Sequence, residues 1–278
     1  MQLGNFEVSA PLLGSFRLDG GAMFGVVPKT IWSKRMVSDA DNCITLATRS
    51  LLIRNGQRTF LVDTGMGEKW TEKQRSIFAI RNTPEDELGF ERSEVTDIIL
   101  THLHFDHCGG LTRWKDAEGG EVELCYPQAR IWVQKANLET ASNPNIREQA
   151  SYRKDNVEIL KCSKVEVVDG THEICPGLSV HRSDGHTTGL QWVEVRDGSQ
   201  VIAFPSDLIP TAQHLPLPFH MGFDMSAEKI LEERSEFLTK ALEERWIVAF
   251  LHDMDIAAAR LGRDQKGHYC VAETVSLD

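Results

Sequence analysis

The sequence has no cluster of basic residues and no long apolar segment. Its 278 residues carry a formal net charge of −11, whereas binding to nucleic-acid phosphates depends on grouped Lys and Arg. Apolar runs are short, as at Ile247 to Leu251, and a transmembrane helix needs about 20 apolar residues. Nucleic acid and the membrane are therefore not expected as partners.

Paired cysteine motifs and a secretory leader are also missing. Met1 to Gly20 has neither the basic start nor the apolar centre of a signal peptide. No two cysteines form a C-x-x-C motif, and dispersed cysteines in a chain of this length are typical of reduced core residues. These absences favour a cytoplasmic protein. The six cysteines are Cys43, Cys108, Cys125, Cys162, Cys175 and Cys270.

What the sequence does contain is an alternation of short apolar runs with turn and helix signals. Hydrophobic residues make up 41% of the chain and charged residues 26%, which is ordinary for a globular α/β protein. The Asn55-Gly56 dipeptide predicts a hairpin turn between strands at Cys43 to Arg54 and Arg58 to Val62. Apolar periodicity predicts an amphipathic helix from Ser226 to Arg245.

The densest chemistry lies in the stretch from Thr101 to Gly110. It follows the apolar run Val95 to Leu100, which predicts a buried strand. His and Asp supply the nitrogen and oxygen ligands that a divalent metal such as zinc accepts. Chance would produce the H-x-H-x-D-H pattern in about one such chain in a thousand, so a mere cluster of surface or core histidines is the weaker interpretation. The pattern is formed by His102, His104, Asp106 and His107.

Residues of the same kind follow other predicted strands. Asp207 comes after one strand, His252 after another, and His186 lies in a glycine-flanked turn after a third. A single histidine at such a place is structural more often than catalytic. Polar residues gathered at the ends of core strands, however, are typical of a site at the edge of a sheet. We therefore expect these residues to join the H-x-H-x-D-H cluster.

Three further features each allow two interpretations. Asp63, at the end of a predicted strand, either caps the next turn or supports a metal-ligating histidine from outside. The segment Gly20 to Trp32 predicts a loop with exposed large apolar residues, which form either a small cluster of their own or the wall of a cleft. The long loop Pro210 to Phe223 predicts a lid or a pocket wall.

With these residues the chain resembles the metallo-β-lactamase superfamily of metal-dependent hydrolases. The resemblance runs from Asp63-Thr64-Gly65 through the H-x-H-x-D-H motif and Gly185-His186 to Asp207 and His252. It implies an α/β fold, a four-layer αβ/βα sandwich, in a single domain of residues 1–278. It also implies two divalent metal ions, zinc first, with iron or manganese as alternatives. One ion would be held by His102, His104 and His186, the other by Asp106, His107 and His252, with Asp207 bridging both.

Within the superfamily the chain is most similar to the N-acyl-homoserine lactonases, which quench quorum-sensing signals. The similarity lies in the string His102 to His107, in the ligand spacings and in the stretch Gly20 to Pro28. One position departs from the pattern. Such lactonases often carry a Tyr three residues after the bridging Asp, and here that residue is Pro210. His214 and His220 are candidate replacements, although loop histidines without a catalytic part are commoner.

The resemblance implies hydrolysis of a small lactone or ester with an apolar chain. Two ions that share a water lower its pKa and make hydroxide available as the nucleophile. Asp106 is the expected catalytic group, since a ligand beside the reacting centre is placed to protonate the leaving oxygen. We predict an apolar wall for an acyl chain from Phe24, Trp32 and Phe105. Exposed apolar residues in the 20–32 and 210–223 loops would also suit a homodimer.

Other activities remain open at this point. Phosphotriesterases of the methyl-parathion-hydrolase type form a similar branch of the superfamily. Thioesterases of the glyoxalase II type bind glutathione through basic residues near the C-terminus, and the tail after His252 offers few: Arg260, Arg263 and Lys266. A metal-binding sensor or effector without turnover is the non-enzymatic alternative, which a complete ligand set disfavours.

Overall fold

The computed structural model describes residues 1–56, 58–116 and 119–277, without the side chain of Cys162. Within these ranges the strands are, in chain order, β1 Gln2–Leu3, β2 Phe6–Ser9, β3 Leu12–Asp19, β4 Cys43–Arg49, β5 Leu51–Asn55, β6 Arg58–Val62, β7 Arg81–Asn82, β8 Asp97–Ile99, β9 Thr112–Trp114, β10 Val122–Leu124, β11 Arg130–Gln134, β12 Val165–Val168, β13 His172–Cys175, β14 Leu178–Ser183, β15 Leu190–Asp197, β16 Gln200–Phe204, β17 Ile247–Ala249, β18 Ala258–Arg263 and β19 Tyr269–Thr274.

The helices of the described residues are mostly short. The α-helices are α1 Gly20–Phe24, α2 Lys29–Trp32, α3 Glu72–Phe78, α4 Phe105–Cys108, α5 Lys135–Ser142, α6 Lys154–Glu158 and α7 Ala227–Glu243. Single turns of 3₁₀-helix occur at Glu85–Glu87, Arg92–Glu94, Gly109–Leu111, Gln149–Ser151, Ile159–Cys162, Ser206–Leu208 and Ala212–His214. Among the described residues, no helix is both long enough and apolar enough to cross a bilayer.

Two seven-stranded sheets form the centre of the molecule, in the orders β1-β2-β5-β6-β8-β11-β12 and β13-β14-β15-β16-β17-β18-β19. In the first sheet, β6, β8, β11 and β12 run parallel to one another. In the second, β16 and β17 are parallel and the other pairs antiparallel. Smaller sheets have the orders β4-β3-β7 and β10-β9.

The two large sheets pack face to face, and their central strands β6, β8, β16 and β17 are buried on both sides. Along β16, Ile202 and Phe204 point into the core shared with the first sheet, and Ala203 points outward into a core shared with α7. Along β6, Phe60 faces the second sheet, and Leu61 faces a core that includes residues of α5 and α6. Helices thus cover both outer faces, and the expected four-layer αβ/βα sandwich is confirmed.

Two predictions of local structure were wrong. Cys43 to Arg54 is not one strand, because the chain passes at the buried Ser50 from β4 in the three-stranded sheet to β5 in the first large sheet. The apolar pattern continues through this corner and therefore hides it. The segment 20–32 is not a loop but contains α1 and α2, and the side chain of Asp19 caps α1 by accepting from the amide of Ala22.

Other predictions agree more closely with the structure. The predicted helix Ser226 to Arg245 is α7, whose N-cap is Ser226 and whose buried side chains include Ile230, Phe237 and Leu238. The predicted hairpin strand Arg58 to Val62 is β6. The cysteines are free wherever their side chains are described, although Cys108 alone among these is fully buried. Cys162 lies outside the described side chains.

The buried Asp97 secures the central strand β8. Its carboxylate accepts hydrogen bonds from Arg58 Nη2 at 2.7 Å and from Trp132 Nε1 at 2.9 Å, and it pairs with Arg130 Nε at 3.2 Å. Burial alone would raise the pKa of Asp97, but the hydrogen bonds from Arg58, Trp132 and Thr96 outweigh it and hold the pKa below its usual value. Asp97 therefore stays ionised inside the fold and joins three strands.

We predict that Asp97→Asn lowers the free energy of unfolding by about 2–3 kcal/mol, because it removes the charge from a buried ion pair whose arginine partner remains partly in water. Because the pKa of Asp97 is depressed on folding, its contribution is present above its unfolded pKa and is lost as pH falls through the folded value. When urea denaturation is measured from pH 7 down to pH 3, the difference in the free energy of unfolding between variant and parent should thus become smaller. The exposed Asp264→Asn is the control, and an Asp97 variant as stable as this control would contradict the prediction.

Candidate metal centre

The structure brings all seven predicted ligand residues to one edge of the sandwich. His102 and His104 lie just after β8, and Asp106 and His107 lie on the short helix α4 that follows. The remaining residues come from the second sheet: His186 follows β14, Asp207 lies in the 3₁₀-turn after β16, and His252 follows β17. Strand ends from both sheets therefore supply the donor atoms, as the sequence pattern predicted.

Three histidines form the first group of donors. His102 Nε2 lies 2.9 Å from His104 Nδ1, and His186 Nε2 lies 3.3 Å from the same nitrogen. One ligand atom of each residue lies within 4.8 Å of the others, and all three residues are buried. Nitrogen atoms gathered in this way suit a tetrahedral metal with one position left for a fourth ligand.

Asp106, His107 and His252 form the second group. Asp106 Oδ2 lies 3.6 Å from His107 Nε2 and 3.5 Å from His252 Nε2. Asp106 and His107 are neighbours on one turn of α4, whose N-cap is His104. The six residues from His102 to His107 thus contribute candidate donors to both groups.

The carboxylate of Asp207 faces both groups at once. Its Oδ2 lies 3.2 Å from His186 Nε2 of the first group and 3.4 Å from His107 Nε2 of the second. Its Oδ1 lies 3.2 Å from His252 Nε2. A carboxylate between two sets of nitrogen donors is the arrangement that a bridging ligand requires.

The chemistry of these donors fits divalent cations. His107 Nε2 and Asp207 Oδ1 are buried, and among the described residues no group near them has the geometry of a hydrogen bond to them. Such a state costs free energy unless something binds these atoms. Burial and the neighbouring histidines hold the pKa of His102 well below its usual value, so that its imidazole is neutral. Burial alone would raise the pKa of Asp207, but His107, His252 and His186 outweigh it and lower the pKa well below the usual value. Neutral imidazoles and an ionised carboxylate are the forms that bind metal.

The carboxylates of the site also determine the direction in which the pKa of His107 is shifted. Burial alone would lower its pKa, but the carboxylates of Asp106, Asp207 and Asp63 outweigh burial and raise the pKa well above the usual value. These carboxylates therefore favour a positive charge at this position, which a metal cation would supply in place of a proton.

The outer nitrogen of each of three histidines is held by an oxygen. His107 Nδ1 lies 2.9 Å from Asp63 Oδ2, His186 Nδ1 lies 2.9 Å from Asp224 Oδ1, and His252 Nδ1 lies 2.7 Å from the carbonyl oxygen of Ala47. Each oxygen accepts a hydrogen bond from the Nδ1–H group, which leaves the lone pair of Nε2 facing inward.

The sequence indicated a supporting role for Asp63 but not for Asp224. Asp63 lies where the sequence suggested, and it also accepts hydrogen bonds from the amide and hydroxyl of Thr101, both at 2.7 Å. Asp224 was not predicted. It lies 38 residues from His186 along the sequence, and no sequence motif around it marks it as part of the site.

The loop that carries His186 is fastened to α7. Glu233 of α7 accepts hydrogen bonds from the amides of Asp184 at 2.9 Å and Gly185 at 3.0 Å. Gly185 is required by this contact, since a Cβ at that position would lie 2.4 Å from the Cα of Ile230. Gly185-His186 is therefore a packing motif as well as a chemical one.

A cavity of about 380 Å³ opens onto the donor groups. Among the predicted ligands, those that line it are His104, Asp106, His186, Asp207 and His252. The other polar residues of the lining are Arg147, Glu148 and Ser151. The apolar lining comes from Leu18, Met23, Phe78, Phe105, Ala150, Met221 and Phe223, with Gly222 among them.

The predicted apolar wall needs correction. Phe105 lines the cavity, but Phe24 and Trp32 do not. Both are buried and stack on each other, with ring centroids 5.4 Å apart. Phe24 and Trp32 therefore belong to a separate hydrophobic cluster. Met23 is the residue of the 20–32 segment that lines the cavity. The sequence alone could not separate Met23 from Phe24, because both are apolar and adjacent.

The candidate replacements for the missing Tyr do not reach the cavity. His214 is buried, and its nitrogens contact the carbonyl of Met23 at 2.8 Å and the hydroxyl of Thr211 at 2.8 Å. Burial lowers the pKa of His214 to about 4, so that it is neutral. His220 does not belong to the lining either. Apart from the predicted ligands, the polar residues of the cavity lining are Arg147, Glu148 and Ser151.

Comparison with known proteins agrees with this geometry. The family model of the metallo-beta-lactamase superfamily matches residues 44–252. An N-acyl homoserine lactonase of Bacillus cereus is 24% identical over 239 residues, which cover 77% of this chain and 84% of that protein. The structure of a probable metal-dependent hydrolase from Staphylococcus aureus has a TM-score of 0.88 at 25% identity and covers 99% of this chain and 100% of that one. AidC, described as a dizinc quorum-quenching lactonase in complex with its product, has a TM-score of 0.78 at 21% identity over 99% of this chain and 97% of that one.

We predict that Gly185→Ala lowers the free energy of unfolding by about 1–3 kcal/mol, the usual cost of overpacking. The contacted atoms at Ile230 are its N, Cα and Cβ, all of which alanine retains, so Ile230→Ala should not restore stability. The control is Gly262→Ala, whose added Cβ meets the Cβ of Ala272 at 3.0 Å, and its loss should be smaller. Equal denaturation midpoints for the two glycine variants would contradict the contact between α7 and the His186 loop.

Proposed function

The chain belongs to the metallo-beta-lactamase superfamily, and from this premise we propose that it is a metal-dependent hydrolase that opens lactones of the N-acyl-homoserine type and so quenches quorum-sensing signals. The observation that carries the proposal is the position of Asp207 between two complete groups of donors at the floor of a cavity. The similarity to N-acyl homoserine lactonases over about three quarters of the chain supports the substrate class.

We assign one ion to His102, His104 and His186 and the other to Asp106, His107 and His252, with Asp207 shared. Zinc suits this set of nitrogen and carboxylate ligands best. When bound, the ions would supply the Lewis acidity that lowers the pKa of water and polarises a carbonyl oxygen. The chain itself supplies ordered donors, since Asp63, Asp224 and the carbonyl of Ala47 fix the histidine rings.

Asp106 is our candidate for the catalytic acid. It lines the cavity together with Asp207, whereas His107 and His102 do not. Opening a lactone forms a bond from the water oxygen to the carbonyl carbon and breaks the bond from that carbon to the ring oxygen. The proton lost by the water can pass through the Asp106 carboxylate to the departing oxygen, and the product is then a hydroxy acid.

The cavity suits a small molecule with an apolar chain. Its volume of about 380 Å³ lies within the usual range of small-molecule sites. Phe105, Met221 and Phe223 offer apolar surface for a chain. Ser151 is our candidate donor for a carbonyl oxygen, because it belongs to the lining and carries a hydroxyl group.

A phosphotriesterase is the second candidate. Pro210 replaces the Tyr that lactonases of this kind often carry, and no tyrosine is present in the cavity lining of the described residues. A site that lacks this donor retains what a phosphotriester needs, namely two Lewis-acid sites and an apolar pocket. Thioester hydrolysis and a role as a metal-binding sensor have no such observation in their favour.

Three expectations from the sequence stay predictions. We infer a single domain of residues 1–278, because one core cluster contains residues of both large sheets. The cytoplasmic location rests on the sequence features given above. A homodimer would cover exposed apolar residues such as Val26 and Ile31.

We predict that the protein purified with zinc carries two equivalents of metal and hydrolyses an N-acyl-homoserine lactone with a higher kcat/KM than an aryl phosphotriester or a glutathione thioester. The measurement is the activity profile with metal content determined on the same sample. Removal of metal by a chelator should abolish turnover and lower the melting temperature, since cations satisfy buried carboxylate and imidazole groups.

Ligand variants are the controls for this experiment. His104→Ala and Asp207→Asn should lose metal and activity together. A higher kcat/KM for the phosphotriester than for the lactone would overturn the lactonase proposal in favour of a phosphotriesterase. Full activity with one metal ion or none would overturn the two-metal assignment. Metal binding without turnover of any substrate would leave the sensor interpretation.

We predict that Asp106→Asn impairs a lactone more than a 4-nitrophenyl ester. An alkoxide leaving group needs a proton and nitrophenolate does not, so the rate loss should be about 10²–10⁴-fold for the lactone and clearly smaller for the nitrophenyl ester. His252→Gln is the matched control, because it removes a proposed ligand of the same group without removing a proton carrier. It should slow both substrates by the same factor. Equal losses for both substrates in Asp106→Asn would show that Asp106 acts only as a ligand.

A further inference from the structure

Asp224 contacts both the donor cluster and the cavity wall. It is buried, and its Oδ1 accepts a hydrogen bond from His186 Nδ1 at 2.9 Å. Its Oδ2 accepts a hydrogen bond from the backbone amide of Met221 at 2.8 Å. Met221, Gly222 and Phe223 belong to the lining of the cavity. One carboxylate thus holds a histidine ring with one oxygen and the substrate wall with the other.

The wall segment is tied on two further sides. The amide of Gly222 donates to the carbonyl of Ala22 in α1 at 2.8 Å. Arg147 Nη2 donates to the carbonyls of Gly222 at 2.6 Å and Asp224 at 2.9 Å. Arg147 itself lines the cavity from the opposite segment. Its guanidinium therefore links two segments of the lining, the one that contains Arg147 and the wall segment.

The backbone beside His186 is tied to the same segment. The amide of Met225 donates to the carbonyl of His186 at 3.0 Å, and the amide of Ser226 donates to the carbonyl of Gly185 at 2.9 Å. Ser226 is also the N-cap of α7. A displacement of residues 221–224 would consequently move both the ring and the backbone of His186.

We propose that Asp224 is a positioning residue that couples the cavity wall to the first donor group, so that the wall segment and the orientation of His186 change together. The inference rests on the proposed function in one respect only, namely that the substrate carries an acyl chain that contacts this wall. It assigns to Asp224 and Arg147 a part in metal affinity, although neither is among the seven proposed ligands.

The two oxygens of Asp224 make the proposal testable by a nearly isosteric change. An Asn side chain has one acceptor oxygen and one donor nitrogen. Asp224→Asn can therefore satisfy either His186 Nδ1 or the Met221 amide, and its NH₂ group must face the other donor. Loss of a partner that holds a ligating histidine typically costs 10–100-fold in metal affinity or activity.

We predict that Asp224→Asn lowers the zinc affinity of one of the two equivalents by about 10–100-fold, measured by competition with a chromophoric chelator in the absence of substrate. Arg147→Met removes the link between the two segments but no group that contacts a proposed ligand, and it should lower zinc affinity in the same direction by a smaller factor. In both variants the gain in kcat/KM from a butanoyl to an octanoyl lactone should shrink. The control is Asp264→Asn, which alters an exposed Asp–His pair with an N–O distance of 3.2 Å and should change neither quantity.

The outcomes separate this inference from the proposed function. Parental zinc affinity in Asp224→Asn would overturn the positioning role, and parental affinity in Arg147→Met would overturn the coupling to the wall. Reduced zinc affinity in both variants, without lactone hydrolysis by the parent protein, would support the coupling and reject the lactonase proposal. Urea denaturation in the presence of chelator shows whether a variant is folded before its zinc affinity is compared.

Discussion

The arrangement of the whole site depends on one buried carboxylate. Asp207 lies between imidazole nitrogens from both donor groups, at distances of 3.2–3.4 Å. An ionised carboxylate in the interior is costly unless positive charge surrounds it, and the described residues near it supply imidazoles rather than Lys or Arg. Cations shared with the histidines would remove this cost. The sandwich holds the strand ends close enough for that sharing to occur.

The sequence indicated the candidate donor residues, which the structure brings together, because their signals are local. The motif from His102 to His107 fits within six positions, and a short apolar run before it marks the strand end. Asp207 and His252 follow the strands β16 and β17, which are buried on both faces. His186 follows the alternating strand β14 and was marked instead by its glycine-flanked turn. Chemical identity and position relative to a strand were therefore sufficient to predict which residues come together, and the resemblance to a family implied their division between two ions.

The parts that the sequence did not reveal depend on contacts between distant segments. Asp224 acts on His186 from 38 residues away, and no local pattern distinguishes it from other acidic loop residues. Phe24 and Met23 are adjacent and equally apolar, yet only Met23 reaches the cavity. The corner at Ser50 is hidden because β4 and β5 are both apolar. Each case needed the packing of one element on another, which a single sequence does not encode in its spacing.

The division between strand ends and loops has a consequence for the evolution of specificity. Donors on strand ends are rigid and cannot be exchanged without loss of charge balance, whereas loops tolerate substitution. The wall residues Met221 and Phe223 lie on a loop and would be free to vary if that loop were independent of the donors. Asp224 removes this independence, because the loop that shapes the cavity also orients His186. Changes of the wall are then constrained by metal binding.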